Sequence, residues 1–285
     1  MVCTAETQTV KPKPDFILCV GAQKAGTTWL HAYVDQFEDT DFGFRKEYHI
    51  WSTKWMLANG IETDAVSYWR HVWDWRSRIV PWPNKQRVIR KMMFEVPGVY
   101  ERYFASLVKN QIRRTGDFTP AYSVLPPEEF QKLKRRIESV GFNLKVVFLM
   151  RDPVERVWSA VRMQKREGSL TGDDETLILK RLHTDGFQLR GNYPRTIQSL
   201  ESCFSPNQLY FGFYENLFEP EQIENIASFL DVPVRLESTK KRVNVSEKTQ
   251  NLSDDVVKIL RAEYAFVYDY VLDRFPVART LWAHA

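Results

Sequence analysis

The chain has 285 residues, 44% of them hydrophobic, which suits one large α/β domain or two small ones with a substantial core. A balance of 40 Lys and Arg against 36 Asp and Glu leaves a formal charge of +4, enough for an anionic small ligand and short of a nucleic-acid footprint. The 3 cysteines, Cys3, Cys19 and Cys203, are too few and too scattered for a disulfide framework or a zinc site, and fit a reducing compartment.

The opening MVCTAETQTVKPKP lacks the apolar stretch of a signal peptide, and no run of about 18 apolar residues indicates a membrane span. The expectation is a soluble, cytoplasmic protein in which residues 1–14 form a loose tail and residues 15–285 one domain. DFILCVG (15–21) reads as a buried parallel strand, and TTWLHAYVDQF (27–37) has helical spacing. A second strand is expected at DFGF (41–44). GVYERYFASLVKN (98–110) reads as a helix, and RRTGDFTPAY (113–122) leads through a strand into a turn. PPEEFQKLKRRIESVG (126–141) is a helix with proline at its start and glycine at its stop. LKVVFLM (144–150) is the clearest buried strand, followed by the helix DPVERVWSAVRMQKREG (152–168) with Pro153 in its first turn. NYPRTIQSLESCF (192–204) reads as helix, LYFGFYEN (209–216) as strand and EPEQIENIASFLDV (219–232) as helix. SDDVVKILRAEYAFVYDYVLDRF (253–275) reads as one long helix with a serine cap. The alternation predicts a three-layer, P-loop-like α/β fold with a mostly parallel central sheet flanked by helices.

Between the first strand and helix lies GAQKAGTTW. Gly21 and Gly26 keep the spacing of the nucleotide-triphosphatase loop G-x-x-x-x-G-K-S/T, but Thr27 occupies the lysine slot and the lysine is Lys24. Amides at a helix start attract phosphate, glycine lets the backbone approach it, and Thr27 and Thr28 add hydroxyl donors. A second anion site is read in FLMRDPVERVWSAVRM. Arg151 stands at a strand's C-terminal end, where α/β folds place ligands. Ser159 follows eight residues later, about two helical turns. An arginine fork and a hydroxyl so placed can hold a phosphate dianion. Arg156 and Arg162 read as surface charges. A rival reading takes KVVFLMRD as a Walker B strand with Asp152 on magnesium; Arg151 beside it opposes a metal.

FRKEYHIWS places Lys46, Glu47 and His49 together, and a carboxylate or imidazole can take a proton from an acceptor. Lys240, Lys241, Arg242 and Lys248 form a basic stretch in STKKRVNVSEKTQN. Trp51, Trp55, Trp69, Trp73, Trp75 and Trp82 fit either a core or the lining of a sugar or apolar acceptor site.

GAQKAGTTWL resembles the 5′-phosphosulfate loop of sulfotransferases that use 3′-phosphoadenosine 5′-phosphosulfate (PAPS), in motif style nearest the bacterial and glycan or heparan-sulfate types. The resemblance implies that Gly21, Ala22, Gln23, Lys24, Ala25, Gly26, Thr27, Thr28 and Trp29 bind the donor, with Lys24 on the oxygen bridging phosphorus and sulfur. Arg151 and Ser159 match the family's 3′-phosphate motif, and Tyr193 joins the donor set. Lys241 and Arg242 correspond to its basic loop, although the R-K-G form of that loop is lacking. KE-x-H resembles the family's Lys-Glu element, which implies Glu47 as the base, with Lys46 beside it and His49 as the other candidate. GDFTPAYS resembles a Thr-Pro-x-Tyr element and is expected to shape the acceptor cleft; Pro120 also suits a simple turn. The implied reaction is in-line sulfonyl transfer from PAPS to a hydroxyl or amine of a small-molecule or glycan acceptor, with no metal and no nucleic acid. A P-loop kinase or nucleotide hydrolase and a non-catalytic nucleotide-binding module are the alternatives.

Overall fold

Every residue of DFILCVG after Asp15 is buried, and an apolar run hidden on both faces is what a central parallel strand requires. This segment is strand β1 (Asp15–Gly21) of the computed structural model, which describes residues 12–61, 85–237 and 251–285. Strand β1 pairs in parallel with β2 (Arg114–Asp117) on one side and β3 (Asn143–Met150) on the other. Strand β3 pairs in parallel with β4 (Leu209–Phe213), giving the order β2-β1-β3-β4. The fold is therefore α/β with a parallel central sheet flanked by helices, as the alternation of elements implied.

The helices bury one stripe each. Helix α1 (Thr27–Asp35) turns Leu30, Tyr33 and Val34 inward, and α2 (Ile50–Ala58) buries Ile50, Trp51 and Met56. Helices α3 (Lys85–Glu95) and α4 (Val99–Leu107) lead to β2. A 3₁₀ turn at Pro120–Val124 precedes α5 (Pro127–Ser139), which buries Phe130, Leu133 and Ile137 at helical spacing. Helix α6 (Pro153–Arg166) follows β3 directly; Asp152 caps it by accepting from Val154 N and Glu155 N. Helices α7 (Asp174–Arg181), α8 (Asp185–Gly191) and α9 (Tyr193–Glu201) lead to β4, and α10 (Pro220–Leu230) follows it. Helices α11 (Asp254–Glu263), α12 (Ala265–Arg274) and α13 (Ala278–Leu281) close the chain. Among the described residues no helix is long and apolar enough to cross a membrane.

Three expectations change. DFGF is no strand: it is a turn at Gly43, with only an isolated bridge from Thr40 to Arg114 nearby, and Phe42 is buried against His31 and Phe118. The last helix is two, because Tyr264 leaves helical geometry at φ −100° and ψ 15°. Its ring is fully buried and its hydroxyl receives Arg156 Nη2 at 3.3 Å, so packing breaks a segment whose sequence contains no breaker. Ser253 does cap α11. Arg156 in turn is no surface charge: it is 1% exposed, held against Tyr264. Arg162 is half-buried, stacked on Trp158. Asp152 also accepts from Tyr268 OH and His284 N, both at 2.9 Å, tying the start of α6 to the chain's end.

Residues 1–11, with Cys3, lie outside the described residues, as do Trp69, Trp73, Trp75, Trp82, Lys240, Lys241, Arg242 and Lys248.

Gly116 is set by packing between backbones, since a Cβ there would lie 2.1 Å from Ile17 O. Gly116→Ala has to push β2 off β1. It is expected to lower the unfolding free energy by about 1–3 kcal/mol, the usual cost of overpacking, measured by urea denaturation.

Candidate functional site

Parallel strands end at one edge of the sheet, and ligand sites of α/β folds form there. A cavity of about 530 Å³ opens at this edge. Its walls come from the glycine loop, the Lys46–His49 segment, the turn at Pro120 and Ala121, and the stretch from Arg151 to Ser169, with Arg190, Tyr214 and Phe218.

The glycine loop is bent by two left-handed residues. Gly26 has φ 90° and precedes α1, whose first turn has no side-chain cap. A Cβ on Gly26 would meet the Leu217 side-chain tip, Cδ2, at 2.5 Å and force it to move, and the φ of 90° itself favours glycine. Lys24 has φ 71°, an uncommon conformation for a long side chain. Lys24 lines the cavity, and burial and then the charges of Arg166 and Arg151 push its pKa down to about 8. Gln23, Gly26, Thr27, Thr28 and Trp29 also lie on the wall, whereas Gly21, Ala22 and Ala25 are buried behind it.

Arg151 reaches across to this loop. Its Nη1 donates to Lys24 O at 3.2 Å, its Nη2 to Glu155 Oε2 at 3.2 Å, and its guanidinium lies 4.4 Å from the centre of the Tyr214 ring. The peptide behind it is fixed from two sides. Tyr193 OH donates to Arg151 O at 2.8 Å, and Glu215 accepts from Asp152 N at 2.9 Å. Tyr193 is fully buried in that position and does not line the cavity, so it supports Arg151 from behind. Burial pushes the Glu215 carboxyl up to about 7. Ser159, on the second turn of α6, is on the wall. Asp152 has both oxygens engaged, in the cap of α6 and in the contacts to Tyr268 and His284, which removes the residue that the Walker B reading needs.

On the opposite wall, Lys46 Nζ lies 3.0 Å from Thr28 Oγ1, 3.4 Å from Thr27 Oγ1 and 2.7 Å from Glu47 Oε1. Glu47 Oε2 lies 3.1 Å from His49 Nε2. An ionised carboxylate only accepts, so His49 Nε2 carries the proton of that bond. One polar chain thus runs from the loop hydroxyls through Lys46 and Glu47 to His49. Burial pushes the Glu47 carboxyl up, but the hydrogen bond from His49 and the charge of Lys46 outweigh it and hold it at about 2.

Among the described residues of the wall, the cations Lys24, Lys46, Arg151, Arg166 and Arg190 outnumber the carboxylates Glu47 and Glu167, a balance that suits a polyanion. Arg166, Arg190, Tyr214 and Phe218 were not singled out in the sequence. Tyr214 carries the same signal as Arg151, since it directly follows a strand of the parallel sheet. Arg190 carries no such signal, because α8 has no distinctive pattern. Of the tryptophans, Trp51 packs on Tyr100 and Arg136, and Trp55 on Arg195; neither lines the cavity.

A family model described as a sulfotransferase domain matches residues 14–260. No curated protein sequence matches the chain. Among solved structures, a sulfotransferase from Alicyclobacillus acidocaldarius is similar over 91% of this chain and 94% of its own, at 18% identity and a TM-score of 0.59. Mouse sulfotransferase SULT7A1, solved in complex with PAP, is similar over 94% of this chain and 88% of its own, at 13% identity and a TM-score of 0.47.

The Lys46 contact has a measurable consequence. The Glu47 carboxyl, depressed from 4.5 to about 2, contributes stability that is present above its unfolded pKa and is lost as pH falls through the window from 4.5 to about 2. Lys46→Met removes a charge and a hydrogen-bond donor. The Glu47 titration, followed by carboxyl-carbon NMR, is expected to move up by about one pH unit or more, and the loss of stability across that window is expected to become shallower.

Proposed function

The chain belongs to the sulfotransferase family, and from that premise we propose that it moves a sulfonyl group from PAPS to a hydroxyl or amine of a small-molecule or glycan acceptor. The observation that carries this reading is the Lys46 ammonium, which touches the hydroxyls of the glycine loop on one side and the Glu47 carboxylate on the other. A donor-side anion site and a proton-accepting group thereby face each other in one cavity. The donor fits the residues present, since five cations against two carboxylates among the described wall residues and an uncapped helix start suit a ligand with two separated anionic groups.

In this reading the loop from Gln23 to Thr28 holds the 5′-phosphosulfate, with Trp29 beside it. Arg151 and Ser159 hold the 3′-phosphate, and Lys241 and Arg242 add to that site. Bound there, PAPS supplies an activated sulfonyl group and leaves as 3′-phosphoadenosine 5′-phosphate. Lys24, with a pKa of about 8, keeps its proton at neutral pH and places its charge where the leaving oxygen becomes anionic. Glu47 takes the acceptor's proton, and His49 Nε2 orients its carboxylate. A carboxylate at about 2 is a weak base at neutral pH. An anion beside Thr27 and Thr28 draws the Lys46 charge away from Glu47, and the carboxylate then recovers basicity.

Calorimetry with 3′-phosphoadenosine 5′-phosphate, AMP and ATP tests the donor. The native protein is expected to prefer the 3′-phosphorylated nucleotide, and Arg151→Ala to weaken it by about 2–5 kcal/mol. Equal affinity for 3′-phosphoadenosine 5′-phosphate and AMP overturns the assignment. Transfer from labelled PAPS to a panel of phenols, alcohols and amino sugars, in excess EDTA, tests the base. Glu47→Gln is expected to slow transfer by about 10²–10⁴-fold with nucleotide affinity unchanged. Loss of transfer in His49→Ala with near-native Glu47→Gln assigns the proton to His49 instead.

A further inference from the structure

Behind the Lys46–His49 segment lies a carboxylate that touches neither Glu47 nor His49. Asp117, the last residue of β2, is fully buried. Its Oδ1 accepts from Tyr48 N at 3.3 Å and from the Thr119 hydroxyl at 2.5 Å. Its Oδ2 accepts from Tyr100 OH at 2.9 Å and Tyr122 OH at 2.7 Å. Two of these donors pass the connection on. Thr119 Oγ1 accepts from His49 N at 3.3 Å, and Tyr122 OH accepts from Ile50 N at 3.2 Å. Phe118 N donates to Lys46 O at 3.0 Å, and Arg90 Nε donates to Tyr48 O at 3.0 Å.

The backbone on both sides of Glu47, at Lys46, Tyr48, His49 and Ile50, is therefore bonded to the GDFTPAYS segment and Arg90. The need for such a clamp is visible at His49, a non-glycine residue at φ 58°. A residue in that region persists only where its surroundings over-determine it. A buried carboxylate is also a costly way to fill space that an apolar side chain would fill, unless its hydrogen bonds serve a purpose. Burial pushes the Asp117 pKa up, and the bonds from Thr119, Tyr122, Tyr100 and Tyr48 N oppose that rise.

We propose that Asp117 is a positioning residue: through Tyr48 N and Thr119 it fixes the backbone that aims Glu47 and His49 into the cavity. The inference rests on the sulfonyl-transfer reading of that cavity, and it gives the Thr-Pro-x-Tyr element a second task beside lining the cavity at Pro120 and Ala121.

The test compares the native protein with Asp117→Asn, Thr119→Val and Thr119→Ser. Three readouts are taken: residue-resolved amide hydrogen exchange, affinity for 3′-phosphoadenosine 5′-phosphate, and sulfate release from labelled PAPS with water as the acceptor. In Asp117→Asn and Thr119→Val, the amides of Tyr48 and His49 are expected to exchange about tenfold faster or more, with those of β1 and β3 unchanged. Nucleotide affinity should stay within about twofold, while sulfate release falls about tenfold or more through misaligned groups. Thr119→Ser, which keeps the hydroxyl, is expected to recover most of both losses. If Asp117→Asn does not fold, the two Thr119 variants carry the comparison. Faster exchange spread evenly through β1 and β3 makes Asp117 an ordinary core residue and overturns the proposal, as does unchanged exchange with unchanged release. Exchange confined to residues 48–50 in a protein that does not bind the nucleotide supports the clamp and overturns the donor reading instead.

Discussion

Because β1 and β3 pair in parallel, with Cys19 opposite Val147 and Gly21 opposite Phe148, both strands end at the same edge of the sheet. The glycine loop leaves one strand there and Arg151 leaves the next. Their proximity lets Arg151 Nη1 bond Lys24 O, which joins two segments far apart in sequence into one wall. Strand β2, on the other side of β1, ends at Asp117 and delivers the Thr119–Tyr122 turn to the same edge. The glycine loop, the Arg151 segment and the Pro120–Ala121 turn are thus extensions of strands whose register is set by pairing, and the Lys46–His49 segment, which follows α1, is held against them.

The electrostatics follow from that convergence. Burial, and then the cations gathered beside it from Arg166 and Arg151, lower the pKa of Lys24. On the facing wall the Lys46 ammonium is shared between two hydroxyls and a carboxylate, so the charge state of one side of the cavity is linked to the other. Left-handed, non-glycine backbone occurs on both walls, at Lys24 and at His49. Such strain is tolerated where the surrounding contacts leave the chain no alternative. Here those contacts are the Arg151 bond to Lys24 O and the Asp117 and Thr119 bonds to Tyr48 N and His49 N.

Support behind the wall is polar as well as apolar. Tyr193 and Glu215 hold the Arg151–Asp152 peptide, and Asp152 ties α6 to Tyr268 and His284. Arg156 occupies a buried site against Tyr264 instead of facing water. A helical residue's neighbours across the fold decide whether its charge is solvated, and those neighbours are distant in sequence. The same limit explains Tyr193, whose residue type suits a ligand contact but whose place is behind Arg151.

What the sequence by itself determined was carried by local signals. The apolar runs of β1 and β3, the Asp152-Pro153 helix start, the Ser253 cap and the glycine spacing of the loop each depend on a few adjacent residues, and their physics is complete within that span. The KE-x-H stretch was legible for the same reason, as a concentration of ionisable groups. Only the tertiary structure decided which of these groups meet. DFGF has strand-like residues, but among the described residues the one bridge there is made by the preceding Thr40, and the final helix breaks at Tyr264, where a buried ring meets Arg156. The Asp117 clamp was equally invisible, since a carboxylate next to a Thr-Pro turn reads as polar loop until the fold buries it beneath Tyr48 and His49. Strand pairing and burial, which act between segments far apart in the chain, convert those local signals into one charged cavity.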